Sequence, residues 1–157
     1  MFLAYLNKDT RTMSSTPPKL AKQLGFAGVL PFYLGALALW TADESAHDAA
    51  LAVTMIYGAV ILSFVGAVHW GRALADETPE AGMGWSVTPA LLGWLAAAWL
   101  EPLPGLILLI VGFWTAYVVD ARAAREGRFP FWYIVLRKHL SALVVLALGL
   151  CVVAVWV

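Results

Sequence analysis

His69 and Arg72 lie one helical turn apart at the end of a long apolar run, Asp120 closes a later run, and Arg137 follows in a stretch rich in basic and aromatic residues. Imidazole, carboxylate and guanidinium groups gathered in one place can cross-link helix ends, hold a proton or bind an anion. Opposite charge on two helix ends predicts that Arg72 pairs with Asp120, since an unpaired charge is costly near lipid. His69 reads first as a packed or hydrogen-bonded histidine. A haem site shared with His139 would need two unmatched helices, so no cofactor or metal is expected. The single cysteine, Cys151, lies in an apolar run, which excludes an internal disulfide and reads as a small buried hydrophobe. His-Glu-x-x-His, Gly-x-Ser-x-Gly and phosphate-loop patterns are absent from the sequence. For want of a nucleophile-and-base set, an enzyme ranks last among the functional readings.

The elements that must position these residues are apolar helices. From Ala49 to His69 there are 21 residues without a charge, and at about 1.5 Å per residue they reach about 30 Å, the thickness of a bilayer's hydrocarbon core. Four further segments bring the expected spans to residues 20–40, 49–72, 85–100, 103–119 and 140–157, an all-α polytopic bundle of five transmembrane helices. Pro31 predicts a kink near Gly28. Residues 1–19 read as a flexible cytoplasmic tail, with Met13 an alternative start. Residues 120–139, DARAAREGRFPFWYIVLRKH, interleave basic residues with Phe129, Phe131, Trp132 and Tyr133. That pattern predicts a segment lying in the headgroup layer. Nucleic acid is a poor second reading for so apolar and membrane-tethered a patch.

Composition agrees. The chain is 62% hydrophobic and 13% charged, with a mean hydropathy of +0.80, outside the range of a water-soluble domain. All ten Lys and Arg fall in the N-terminal tail, the fourth-to-fifth segment or, as Lys22 and Arg72, at the adjoining ends of the first and second spans. The positive-inside rule then places the N-terminus in the cytoplasm and the C-terminus outside a bacterial inner membrane, or the N-terminus in the matrix of a mitochondrion.

On the second helix, Ala59, Ser63, Gly66, Ala67 and Trp70 fall within an arc of about 100°. Small faces let helices approach closely in lipid. The kinked first helix, with Gly25, Gly28 and Gly35, is expected to cover this one, leaving residues 129–138 for a partner.

The sequences LGFAGVLPF (24–32), IYGAVILSFVGAVHWG (56–71), WSVTPALLGW (85–94) and FPFWYIVLRKHLSALVV (129–145) resemble an uncharacterised membrane family that includes transmembrane protein 69. The resemblance covers residues 20–157 and implies about five spans and a bacterial inner or mitochondrial membrane, with no activity or catalytic residues to transfer. Two functional readings follow. The first is an accessory or assembly component that touches the bilayer and a membrane protein partner or a second copy of itself. The second is a binder or transporter of a small molecule, lipid or quinone through His69, Arg72, Asp120 and Arg137.

Overall fold

A computed structural model describes residues 16–75, 82–98 and 101–157, apart from the side chain of Glu44. The expected tail up to residue 15, the loop at 76–81 and Trp99 lie outside the described residues. The elements are α1 (Lys19–Ala27), α2 (Leu30–Thr41), α3 (Glu44–Ala75), α4 (Met83–Ala98), α5 (Pro102–Arg125) and α6 (Phe131–Trp156). Four helical stretches, Lys19–Thr41, Ser45–Ala75, Pro102–Arg125 and Phe131–Trp156, are long and apolar enough to cross a membrane. The 16-residue α4 runs antiparallel between α3 and α5 and makes the fifth pass. Large apolar side chains such as Leu34, Phe64, Leu91, Trp114 and Leu146 are more than half exposed on the outside, as lipid contact requires.

The first span is kinked near Gly28, as Pro31 predicts: Lys19–Thr41 stays one apolar helical stretch, interrupted by a two-residue turn at Gly28 and Val29, both in αR conformation. α1 stops at Ala27 and α2 begins at Leu30 with Pro31 in its first turn, where the missing N–H of proline does no harm. The break exposes backbone carbonyls, and the Tyr57 hydroxyl of α3 donates to the Gly28 carbonyl at 2.9 Å. Hydroxyls elsewhere in the spans satisfy themselves. Thr54 donates to the Ala50 carbonyl, Ser63 to Ala59 and Thr115 to Val111, each four residues back. Such back-bonding hides a donor that lipid cannot accept.

Two boundaries differ from expectation for identifiable reasons. α3 begins at Glu44, ahead of the expected span start at residue 49, because the Asp43 carboxylate accepts hydrogen bonds from Ser45 Oγ (2.8 Å) and the Ala46 amide (3.0 Å) and so caps the helix. Those bonds hold the Asp43 carboxyl below its ordinary pKa, and the cap is lost only on acidification through that lowered value. Residues 120–139 are likewise mostly helical. α5 continues through DARAAR and ends in a Schellman turn at Gly127 (φ +76°), in which the Arg128 amide donates to Ala123 and the Gly127 amide to Ala124. α6 starts four residues later, so residues 120–139 form the ends of two helices joined by a tight turn.

Helix contacts set the register. α3 meets α2, α4 and α5, and α6 closes against α5, α2 and α1. Phe32 of α2 is fully buried where α2, α3 and α5 converge, edge-on to Tyr57 (5.1 Å) and Phe113 (5.9 Å). The small face of α3 is covered by α4, not by the first span. A Cβ at Gly66 would lie 2.6 Å from the Ser86 carbonyl oxygen, and one at Gly93 would lie 2.9 Å from Ala59 Cα. The first span packs on another part of α3, through Thr54 and Tyr57. Of the small face, Ala67 and Trp70 remain exposed. Gly66→Leu or Gly93→Leu should each lower stability in detergent by about 1–3 kcal/mol or prevent folding. Gly71→Leu, with nothing within 4 Å of its added Cβ, should fall within about 1 kcal/mol of wild type. Equal melting temperatures for all three variants would contradict the α3–α4 interface.

Candidate polar site

The apolar periodicity of three helices carries polar residues inward. On α5 the buried stripe Leu109, Gly112, Phe113, Ala116, Asp120 and Ala123 follows the three- and four-residue helical spacing, and Asp120 falls on it. On α3, His69 continues Leu62, Val65 and Gly66; on α6, Arg137 and Ser141 precede Val144, Leu148 and Cys151. All three stripes meet at one end of the bundle. Every Lys and Arg among the described residues lies on the elements at this end, which we call the basic end.

Asp120 is fully buried. Its Oδ1 stands 2.8 Å from His69 Nε2, and its Oδ2 accepts a hydrogen bond from Arg137 Nε at 2.9 Å and a longer one from the Tyr133 hydroxyl at 3.3 Å. The imidazole donates in this arrangement, so Nε2 carries its proton. Arg137 also donates from Nη1 to Ser141 Oγ at 2.9 Å. Phe129 stands edge-on to the His69 ring at 5.1 Å and beside the Tyr133 ring at 4.9 Å, sealing the cluster with apolar surface. Arg137 Nη2 is buried without a hydrogen-bond partner among the described residues. A buried carboxylate costs several kcal/mol in desolvation, which a guanidinium at contact and further donors offset. The cation must be close, and here it is.

The structure therefore joins His69, Asp120 and Arg137 and leaves Arg72 elsewhere. The predicted Arg72–Asp120 pair does not form. Arg72 lies off the buried stripe on the exposed side of α3, while Asp120 turns to α6. The aromatic set also divides. Phe129 is buried and Tyr133 faces Asp120, whereas Phe131 is 70% exposed and Trp132 is half-buried. Tyr133 and Ser141 were absent from the sequence-based cluster, although Tyr133, Arg137 and Ser141 recur every fourth residue and so share one helical face. Reading residues 131–139 as helix would have revealed that stripe.

Chemically the cluster can clamp helices or hold a proton. Its aliphatic hydroxyl, Ser141, is bonded by the guanidinium rather than by the imidazole, which is not the pairing that activates a nucleophile. Among the described residues, no three His, Cys, Asp or Glu side chains are placed to share a metal ion. Two open concavities lie apart from the cluster. They run along the groove between α3 and α4, past Ala52, Ile56, Ala59, Ser63 and Ala97, and their one charged residue is Asp48.

Five apolar helical passes tied at one end by a buried carboxylate define a polytopic helical membrane protein. The chain belongs to DUF3429, a family of proteins of unknown function whose model matches residues 17–153. It is 34% identical over 152 residues to transmembrane protein 69 of Xenopus tropicalis, covering 93% of this chain and 58% of that protein. It is 29% identical over 135 residues to transmembrane protein 69 of Mus musculus, covering 83% and 54%. The chain thus spans little more than half the length of these curated relatives. No solved structure matches it.

Asp120→Asn, which strands a buried guanidinium, should cost about 3–5 kcal/mol in detergent. In double-mutant cycles, Asp120→Asn with Arg137→Gln should show coupling above about 1 kcal/mol, and Asp120→Asn with Arg72→Gln should be additive within about 0.5 kcal/mol. Stronger coupling to Arg72 than to Arg137 would refute the assignment.

Proposed function

We propose that the protein works by contact, as an accessory or assembly component of a larger membrane complex. The observation that carries this reading is the closed state of its ionisable groups. His69, Asp120, Arg137 and Tyr133 bind one another inside the bundle, and the span hydroxyls bond their own backbones. Ion-coupled transport needs ionisable groups along a path near the membrane centre, and the cluster lies at one end, away from the concave surface. A bundle whose buried carboxylate and imidazole are paired internally offers its neighbours shape and apolar surface across the spans.

Its membrane is a bacterial inner membrane or, in a eukaryote, the mitochondrial inner membrane. The basic end faces the cytoplasm or matrix, as the one-sided Lys and Arg support. Reporter fusions at Ser45 and Leu103 should read outside and a fusion at Gly127 inside. Agreement between Gly127 and Ser45 would invert or break the five-pass topology.

Purification in mild detergent followed by native mass spectrometry tests the contact itself. A polypeptide partner, or a second copy of this chain, should accompany the protein at fixed stoichiometry. Purification alone with a stoichiometric small molecule that is lost in His69→Gln would overturn this reading in favour of a ligand carrier.

A further inference from the structure

The polar cluster consumes Arg137, and Arg128 pairs with Glu126. Three more cations decorate the same pair of helices. Arg122 and Arg125 are exposed in the last two turns of α5, and Lys138 is exposed near the start of α6. None of the ion pairs among the described residues includes them. The carboxylates nearest in sequence are occupied, Asp120 by His69 and Arg137 and Glu126 by Arg128.

The Asp120–Arg137 contact fixes how these cations stand relative to one another. At about 1.5 Å per residue, Arg122 and Arg125 lie about 3 and 7.5 Å beyond Asp120 toward the basic end, and Lys138 lies about 1.5 Å to the other side of Arg137. At about 100° per residue in two antiparallel helices, Arg125 and Lys138 turn to the same outer side of the pair, with Arg122 flanking Arg125. The cations are therefore spread over about 9 Å of height, close to the thickness of one headgroup layer. On the bilayer side of them the outward faces become apolar. Trp114 on α5 is 60% exposed and Leu146 on α6 is 57% exposed. Phe131, 70% exposed at the first residue of α6, adds an aromatic at headgroup level.

An apolar surface topped by three cations that have no carboxylate partner among the described residues matches one kind of amphiphile. We propose that the outer face of the α5–α6 pair is a binding site for the headgroup of an anionic phospholipid, with Arg122, Arg125 and Lys138 holding the phosphate. Basic pockets beside membrane helices on the cytoplasmic or matrix side take such lipids. The site is separate from the His69–Asp120–Arg137 cluster and independent of any protein partner.

The test uses the full chain purified in detergent and native mass spectrometry against phosphatidylglycerol and phosphatidylcholine of identical acyl chains. Wild type should retain phosphatidylglycerol at least about tenfold better, with the ratio falling as salt is raised. Arg122→Gln, Arg125→Gln and Lys138→Gln combined should bring the ratio toward one, whereas Lys19→Gln with Lys22→Gln should preserve it. Single Arg125→Gln and Lys138→Gln variants provide the same readout if the triple variant does not fold. A wild-type ratio near one, a preference unchanged in the variants, or displacement of phosphatidylglycerol by millimolar inorganic phosphate would each overturn the proposal.

Discussion

A carboxylate with no exposure to solvent, little more than one helical turn from the end of a membrane helix, is stable only if the rest of the protein brings it a cation. Asp120 obtains Arg137 from α6 and an imidazole from α3, and three of the five passes are thereby fixed in register. The antiparallel α5–α6 pair could slide by a turn on apolar packing alone, since one aliphatic side chain replaces another at little cost. It cannot slide without stranding a charge. Arginine suits the task better than lysine, because its planar fork reaches Oδ2 through Nε and Ser141 through Nη1 at once.

The remainder of the bundle is built under the same constraint, that lipid accepts no hydrogen bond. The break between α1 and α2 survives because Tyr57 satisfies the Gly28 carbonyl. The span hydroxyls fold back on their own helices, and α3 and α4 approach until Gly93 meets the backbone of Ala59. Polar and small residues in this chain thus secure the bundle internally, and its outer surface is left for lipid and neighbours. This division supports a protein that acts through contact, and it separates the internal cluster from the cations on the outer face of α5 and α6.

Much of this was legible in the sequence where the signal was length and hydropathy. The apolar helices, the gathering of Lys and Arg toward one end and the placing of His69 and Asp120 toward that same end followed from apolar runs and Lys/Arg spacing. What was missed depends on rotation and on helix ends. Arg72 seemed the natural partner of Asp120 because both terminate apolar runs, but linear proximity to an end does not reveal which side of a helix faces inward. Arg137 was not read as a helical residue facing inward, because the aromatics and cations around it point to a headgroup-layer segment and not to a helix starting at Phe131. The cover of the α3 small face was also misassigned. The glycines of the first span were visible, whereas the match of Gly66 to the Ser86 backbone is a matter of register that spacing alone does not give.

The central claim is that the buried cluster fixes structure, and it is tested most directly by replacing the cluster as a unit. An apolar set of similar volume, His69→Leu, Asp120→Leu and Arg137→Met in one chain, removes every buried charge instead of stranding one. Thermal denaturation in detergent should find the triple variant close to wild type and well above Asp120→Asn alone. A triple variant as unstable as the single one would contradict the account, since the loss in Asp120→Asn would then not come from a stranded buried charge.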